Sequence, residues 1–417
     1  MGDFEKPSRI VVTCQRGLSR WLGEELTELG LPEVEVFSGG ASTSGSLLDC
    51  QRLNLQLRCA SQVLYSLRRF RCNSPEFLYR ELARIKWDEW LGPTSYFSVT
   101  SNVDHPSIRS TMYANVRVKD AIVDRIRETT GERPNSGPDL TGVVIHLFWR
   151  GSEAELFLDT SGPTIAKHGY RRLPGKAPLS EALAAAMLRA SGWRGESSFV
   201  NPMCGSGTLA IEAALLATGR SPGLFRSDYA FQHLHGFRPE LLADLRAELA
   251  SLVRPLAASV HLVASDHDAE AIATAQANAA AAGVADLITF LHCDFKQTDV
   301  PQGAGGVVMF NPEYGQRLGE VRALEATYKE IGDFLKQHCR GYRGYVFTAN
   351  LELAKKIGLR TSRRLEFATA KLEARLLEYE LYEGTRKNKA RGEASGAAQS
   401  AEDAPSATGE SEPAGSE

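Results

Sequence analysis

Apolar and polar positions follow two regimes along the chain. Before about residue 160 the apolar runs are short and their period changes often. Ile10–Thr13 has strand character, and Trp21, Leu22, Leu26 and Leu29 follow at the spacing of an amphipathic helix. Strands are expected near Ser46–Leu48, Tyr96–Thr100, Gly142–Phe148 and Glu155–Leu158, and helices around Leu53–Ser61, Pro75–Ala83 and Tyr113–Arg127. This part reads as an α+β region of more than one small unit. Ser161–Lys176 (SGPTIAKHGYRRLPGK), rich in Gly, Pro and basic residues, reads as a linker.

A regular α/β alternation then begins with a long helix, Leu179–Ala190. Strand-like runs at Ser198–Pro202, Val260–Asp266, Leu287–Cys293, Gly306–Asn311 and Tyr342–Thr348 are separated by helical segments, the strongest at Ala269–Ala282. That order predicts a parallel sheet with helices on both faces. Two last extended segments, Arg364–Ala370 and Glu373–Tyr382, leave no room for a crossover helix and predict an antiparallel hairpin. Beyond about Thr385 the pattern disappears. A basic run, Arg386–Arg391, leads into Ala/Gly/Ser/Glu low-complexity sequence that buries too little apolar surface to offset its ordering entropy, so disorder is expected there.

A chain of 417 residues, 43% hydrophobic and 24% charged, is ordinary for a globular protein of two or three domains. No apolar run approaches the roughly 20 residues needed to span a membrane. The polar opening MGDFEKPSR shows no secretory signal. Seven scattered cysteines without a C-x-x-C pair suggest neither a zinc site nor a disulfide framework, so a cytoplasmic protein without a metal is expected. The net charge of −3 argues against a nucleic-acid partner until the tail is set apart. Residues 390–417 hold five Glu, one Asp and one Arg, a net −5; taking this from −3 leaves +2 for the body, which permits RNA binding without showing it.

Chemistry-bearing residues gather at the ends of the predicted parallel strands. Asn201-Pro202-Met203-Cys204-Gly205-Ser206-Gly207-Thr208 lies between a strand and an apolar helix. Its glycines let a ligand approach the backbone N–H groups of the helix N-terminus. By spacing alone, GSGTLA also fits the loose G-x-G-x-x-A form of a dinucleotide fingerprint. Asp266, closing the second strand, can accept hydrogen bonds from both hydroxyls of a ribose. Asp268 is expected to be a helix N-cap, and His267 either packs on an adenine or is a polar loop residue. Asp294 at the third strand end can accept from an adenine amino group, with Phe295 beside the ring.

The turn Asn311-Pro312-Glu313-Tyr314-Gly315 points to the reaction. A purine amino group is a poor nucleophile because its lone pair is delocalised into the ring. The Asn311 side-chain oxygen and the Pro312 carbonyl can accept both N–H hydrogens, turn the lone pair outward and stabilise the charge developing on nitrogen. Tyr314 offers a face for the base to stack on.

NPMCGSGT, ASDHD, HCDF and NPEYGQRLG, in this order, resemble the cofactor and catalytic motifs of class I amino-methyltransferases. RVKDAIVDRIRETTGERPNSGPDL, KHGYR, APLSEALAAAML and GLFRSDYAFQH resemble the THUMP-containing 23S rRNA guanine-N2 methyltransferases, and the likeness covers most of residues 9–384. The resemblance implies a ferredoxin-like unit at 1–60, a THUMP RNA-binding domain at 61–162, a linker at 163–178 and a Rossmann-like seven-stranded methyltransferase domain at 179–384, with the tail at 385–417. It implies S-adenosylmethionine as cofactor, held by Asn201, Gly205, Gly207, Asp266, Asp294 and Phe295, with Asn311, Pro312 and Tyr314 catalytic. The implied substrate is the N2 amine of a guanine in ribosomal RNA. Some relatives carry a second, fused methyltransferase domain, which is not seen here. Asn201 stands where many members have Asp, and Glu313 where the usual motif has a second proline.

Contacts to RNA phosphates are sought among Arg and Lys. Lys167, Tyr170, Arg171 and Arg172 in the linker and Arg317 after the catalytic turn are the main candidates, with Arg68, Arg69, Arg71, Lys119, Arg125 and Arg127 behind them. The five tryptophans are expected in the core. Rival readings are a nicotinamide-dependent oxidoreductase, against which the Asn-Pro-x-Tyr turn speaks, and a non-catalytic RNA-binding assembly factor, supported by Glu313. The same chemistry also serves a guanine in transfer RNA or adenine N6.

Overall fold

The computed structural model describes residues 3–108, 110–173, 178–302, 305–315, 318–368 and 373–382. The expected tail and Arg317 lie outside the described residues.

The N-terminal region runs β1 (Ser8–Thr13), α1 (Ser19–Glu28), β2 (Glu35–Phe37), β3 (Gly40–Gly45), α2 (Leu47–Gln56), β4 (Gln62–Arg71), α3 (Pro75–Ala83), β5 (Tyr96–Asp104), α4 (Thr111–Thr130), β6 (Asn135–Ser136), β7 (Val143–Arg150) and β8 (Glu153–Asp159). Its strands form one sheet in the order β2-β3-β1-β4-β8-β7-β5-β6. The seam is the antiparallel pair β4–β8, so the 60/61 boundary falls within a continuous sheet. Two local expectations are corrected here, and one strand goes unanticipated. The segment Ser46–Leu48 is no strand: Ser46 Oγ accepts from the Asp49 N–H at 3.2 Å while Asp49 Oδ2 accepts from the Ser46 N–H at 2.7 Å, a capping box that starts α2. The helix expected over Leu53–Ser61 stops at Gln56, because Leu57 turns extended and Glu25 takes the N–H groups of Arg58 and Cys59. β4 escapes the pattern because a bulge between Ser66 and Arg68 breaks its alternation.

The second region runs α5 (Glu181–Ser191), β9 (Ser198–Pro202), α6 (Thr208–Ala217), α7 (Pro239–Ser251), β10 (Leu262–Asp266), α8 (Ala269–Ala281), β11 (Ile288–His292), β12 (Gly306–Phe310), α9 (Leu318–His338), β13 (Arg343–Thr348), α10 (Leu351–Lys356), β14 (Arg363–Ala368) and β15 (Glu373–Glu380). The order β11-β10-β9-β12-β13-β15-β14 is parallel through β13, and β15 enters antiparallel between β13 and β14. The chain reverses direction in strand order between β9 and β12, where open parallel sheets place their ligands. All five tryptophans are buried.

The two regions are packed together by the segment between α6 and α7. Arg226 donates to the carbonyls of Pro163 and Thr164, Phe231 N–H to Thr160, and His235 N–H to Trp90. Gly223 lies so close to α2 that an added Cβ would sit 2.4 Å from Leu55 Cα. The supposed linker is part of this packing rather than a tether. His168 and Tyr170 are buried, and their side chains meet Glu212 of α6.

Candidate active site

β9 ends at Asn201-Pro202 and the chain turns through Met203–Gly207 into α6. The turn needs three left-handed residues, Met203 at φ 56°, Gly205 at 54° and Gly207 at 80°. For Met203 this is strained backbone, which the surroundings must hold in place. They do so from β10: Cys204 N–H donates to the Ser265 carbonyl at 2.9 Å, and Gly205 N–H to Asp266 Oδ2 at 2.9 Å. Gly207 has a different reason to be glycine, since an added Cβ would lie 2.8 Å from Ala275 Cβ on α8. At Gly205 an added Cβ would meet nothing within 4 Å, so the turn faces open space there.

Asn201 is 1% exposed. Its Nδ2 donates to the Met309 carbonyl of β12 at 2.9 Å, while its Oδ1 is buried without a partner. An orphaned acceptor of this kind costs roughly 1–3 kcal/mol unless a ligand donor reaches it. A ligand ammonium group suits it. Asp266 spends one lone pair of Oδ2 on Gly205 and one of Oδ1 on the Asp268 N–H at 3.0 Å, which leaves each oxygen able to accept once more. Asp268 caps α8, accepting from the Glu270 N–H. His267 is exposed, its ring 3.4 Å from Asp266. Asp294 is exposed at the end of β11, and its Oδ1 accepts from the Lys296 N–H at 2.9 Å. Phe295 corrects the expectation of a ring beside an adenine: it is buried edge-to-face against Phe310 and Phe334, because the short helical turn after Asp294 points it into the core.

Asn311 follows β12, which pairs in parallel with β9. The strand order therefore places Asp294, Asp266, the glycine turn and Asn311 in a row along one edge of the sheet. Tyr314 Oη donates to Asn311 Oδ1 at 2.6 Å, and its ring meets Phe347 edge-on at 6.1 Å. Burial raises the Tyr314 pKa well above its ordinary value, so the phenol stays a donor. The turn is anchored from outside: Tyr328 Oη donates to the Glu313 carbonyl at 3.1 Å, and Asn350 Nδ2 to the Tyr314 carbonyl at 3.1 Å. Glu313 itself points to solvent. Neither Tyr328 nor Asn350 was singled out from the sequence. Asn350 also caps α10, and an Asn just ahead of a short helix was the available signal.

The basic candidates separate clearly. Tyr170 is 2% exposed with its hydroxyl on Glu212, so it offers no face to a base; burying a tyrosine requires such a partner. Arg171 is committed to Glu181, the Leu179 carbonyl and Thr208 Oγ1. Arg68 is paired with Glu81, and Arg69 and Arg71 both face Glu153. Lys119 lies beside Asp120 and Arg125 beside Glu128. Lys167, Arg127 and Arg172 are exposed.

A parallel sheet with one inserted antiparallel strand, a glycine turn after β9 and carboxylates at the next two strand ends is the architecture of a class I methyltransferase. Residues 168–377 match the family described as RMKL-like, methyltransferase domain; residues 9–64 match the RlmL ferredoxin-like domain and 72–159 the THUMP domain. The chain belongs to the RMKL-like methyltransferase family. It is 36% identical over 392 residues to the ribosomal RNA large subunit methyltransferase K/L of Syntrophotalea carbinolica, covering 91% of this chain and 54% of that one. The chain thus spans about half the length of the K/L enzymes it matches. It is 34% identical to slr0064 of Synechocystis sp., described as an RNA methyltransferase, over 89% of this chain and 96% of that one. SMU.472, described as a methyltransferase and crystallised with SAH, superposes at a TM-score of 0.82 with 25% identity, covering 91% of this chain and all (100%) of that one.

Proposed function

We propose that the chain methylates the exocyclic N2 of a guanine in large-subunit ribosomal RNA, using S-adenosylmethionine. The observation that carries the reading is the turn Asn311–Tyr314, set at the end of β12 next to the orphaned acceptor of Asn201 on β9. S-adenosylmethionine supplies an electrophilic methyl group on a sulfonium. Asn201 Oδ1 accepts from its ammonium, the Gly205–Gly207 turn gives it room, Asp266 accepts from the ribose and Asp294 from the adenine amine, with Phe295 contributing through backbone only. Asn311 Oδ1 keeps one lone pair beyond the one taken by Tyr314, and with the Pro312 carbonyl it accepts the two hydrogens of the guanine amine. The lone pair is then localised toward the methyl group, and the positive charge that grows on nitrogen faces two fixed dipoles. The Tyr314 ring stacks on the base. The two external anchors do for this turn what a second proline does elsewhere, so Glu313 is compatible with activity.

Similarity to the ribosomal RNA large subunit methyltransferase K/L supports ribosomal RNA as the substrate class, and the THUMP match over 72–159 supports the 61–162 region as the part that grips it. Lys167 and Arg172 are the exposed linker cations on that path, and Arg317, outside the described residues, is proposed alongside them.

The test is incubation with tritiated S-adenosylmethionine and, in separate reactions, ribosomal and transfer RNA from cells lacking the gene, followed by nucleoside analysis. Label in N2-methylguanosine is the expected result. Label only in transfer RNA, or in N6-methyladenosine, moves the substrate and keeps the chemistry. Cofactor binding with no label in any RNA would overturn the enzymatic reading in favour of an RNA-binding scaffold.

A further inference from the structure

The segment His168–Leu173 touches both the N-terminal region and the cofactor turn. At one end His168 Nε2 is 3.0 Å from the Arg58 carbonyl, just beyond α2, and its Nδ1 is 2.7 Å from Glu212 Oε1. Tyr170 Oη donates to that same oxygen at 2.8 Å. Further along, Arg171 Nη2 donates to Thr208 Oγ1 at 3.0 Å, the first residue of α6 after the glycine turn. At the other end the Arg172 and Leu173 N–H groups donate to Asn278 Oδ1 at 2.9 and 3.0 Å. Asn278 Nδ2 donates to the Leu173 carbonyl at 2.9 Å and to the Ser206 carbonyl, inside the glycine turn, at 3.2 Å.

Asn278 is 1% exposed, and every hydrogen-bonding site of its amide is used. It lies three residues after Ala275, so both point from the same face of α8: Ala275 packs on Gly207, and Asn278 holds Ser206. No isosteric residue replaces it. An aspartate keeps the two accepted bonds and loses the two donated ones, and a leucine loses all of them.

We propose that Asn278 and the strap 168–173 are positioning elements for the cofactor turn, through which the docked N-terminal region sets affinity for the nucleoside ligand. The proposal rests on reading that turn as the S-adenosylmethionine site. None of these residues reaches the reacting atoms, so the effect appears in cofactor binding and not in the chemical step.

The test is calorimetric titration of S-adenosylhomocysteine into the full chain as wild type, Asn278→Asp and Thr208→Val, with melting temperature and binding to deproteinised ribosomal RNA measured in parallel. Thr208→Val removes, with almost no change of shape, the strap's bond to the residue next to the glycine turn while the His168 and Tyr170 bonds to Glu212 stay, and it decides the matter if the Asn278 variant folds poorly. Expected are a loss of affinity of roughly tenfold or more for Asn278→Asp and of about threefold for Thr208→Val, with RNA affinity unchanged. The KM for S-adenosylmethionine should rise in step while kcat at saturation stays near wild type. Unchanged affinity in Thr208→Val overturns the proposal, as does a loss of RNA binding in equal proportion. If the wild type fails to bind S-adenosylhomocysteine, the cofactor reading falls first.

Discussion

Among the described residues, the Asn311 side chain is oriented by a hydrogen bond from Tyr314. The Tyr314 hydroxyl donates to Oδ1 at 2.6 Å, which keeps the acceptor end of the amide, and not its NH2, at that position. Asn311→Ala removes an acceptor needed only once the amine gains charge, so methyl transfer should fall at least a hundredfold while S-adenosylhomocysteine binds nearly as before. Loss of both would make Asn311 structural. Tyr314→Phe keeps the ring and loses the hydroxyl; one hydrogen bond of about 0.5–1.5 kcal/mol corresponds to a drop in kcat of up to about tenfold. An unchanged kcat in steady-state assays would show that the hydroxyl does not orient Asn311. The proposed catalytic turn was legible from the sequence because an Asn-Pro-x-aromatic turn after a strand is a compact local signal. Tyr328 and Asn350 were not, since they reach the turn from α9 and from the loop after β13.

At the scale of elements, caps and bulges decided where the pattern was silent. Gly40–Gly45 (GASTSG) has no apolar alternation, yet it forms a strand because β1 and β2 pair with it on both sides. The helix after it begins where Ser46 and Asp49 exchange hydrogen bonds. Ser46→Ala should therefore destabilise the N-terminal region by about 1 kcal/mol, read as a lower urea midpoint at constant slope. No shift in the midpoint would mean that packing of Leu47, Leu53 and Leu55 alone fixes α2. The parallel strands and α8 were plain in the sequence, because buried strands and capped amphipathic helices carry their signal locally.

At the scale of the whole molecule, the seam between the regions holds buried ionisable groups. Asp159 closes β8 beneath the segment that joins the regions. Burial raises its pKa to about 7, against the N–H donors of Ser161 and Gly162, the Gln62 amide and the charge of Arg226, all of which pull it down. An acid raised in the folded state binds its proton more tightly there than in the unfolded chain. Stability is therefore greatest below the unfolded value near 4 and is lost as pH rises toward 7. Asp159→Asn, which needs only a turn of the Gln62 amide to be accommodated, should flatten this loss and raise the melting temperature at pH 8. A mutant with the wild-type pH profile would show that Asp159 does not carry the dependence. His168 follows the opposite residue chemistry. Burial disfavours its charge, but Glu212 outweighs that and raises its pKa, so its contribution too fades as pH rises through the folded value.

The sequence by itself determined the class of fold, the row of strand-end residues and the Asn-Pro-x-aromatic turn proposed to take the amine, because each depends on residues within one short stretch. Only the tertiary structure decided what the basic linker does. Its composition reads as a flexible tether open to RNA, but Glu212 and Asn278, distant in sequence, and the nearer Glu181 take up His168, Tyr170, Arg171 and the backbone beyond. A charged or aromatic side chain looks the same in a sequence whether it meets solvent or a buried partner. That difference arises from contacts between separate stretches of chain, 37 positions apart for Arg171 with Thr208 and 105 for Asn278 with Leu173, and it packs the linker against the candidate site.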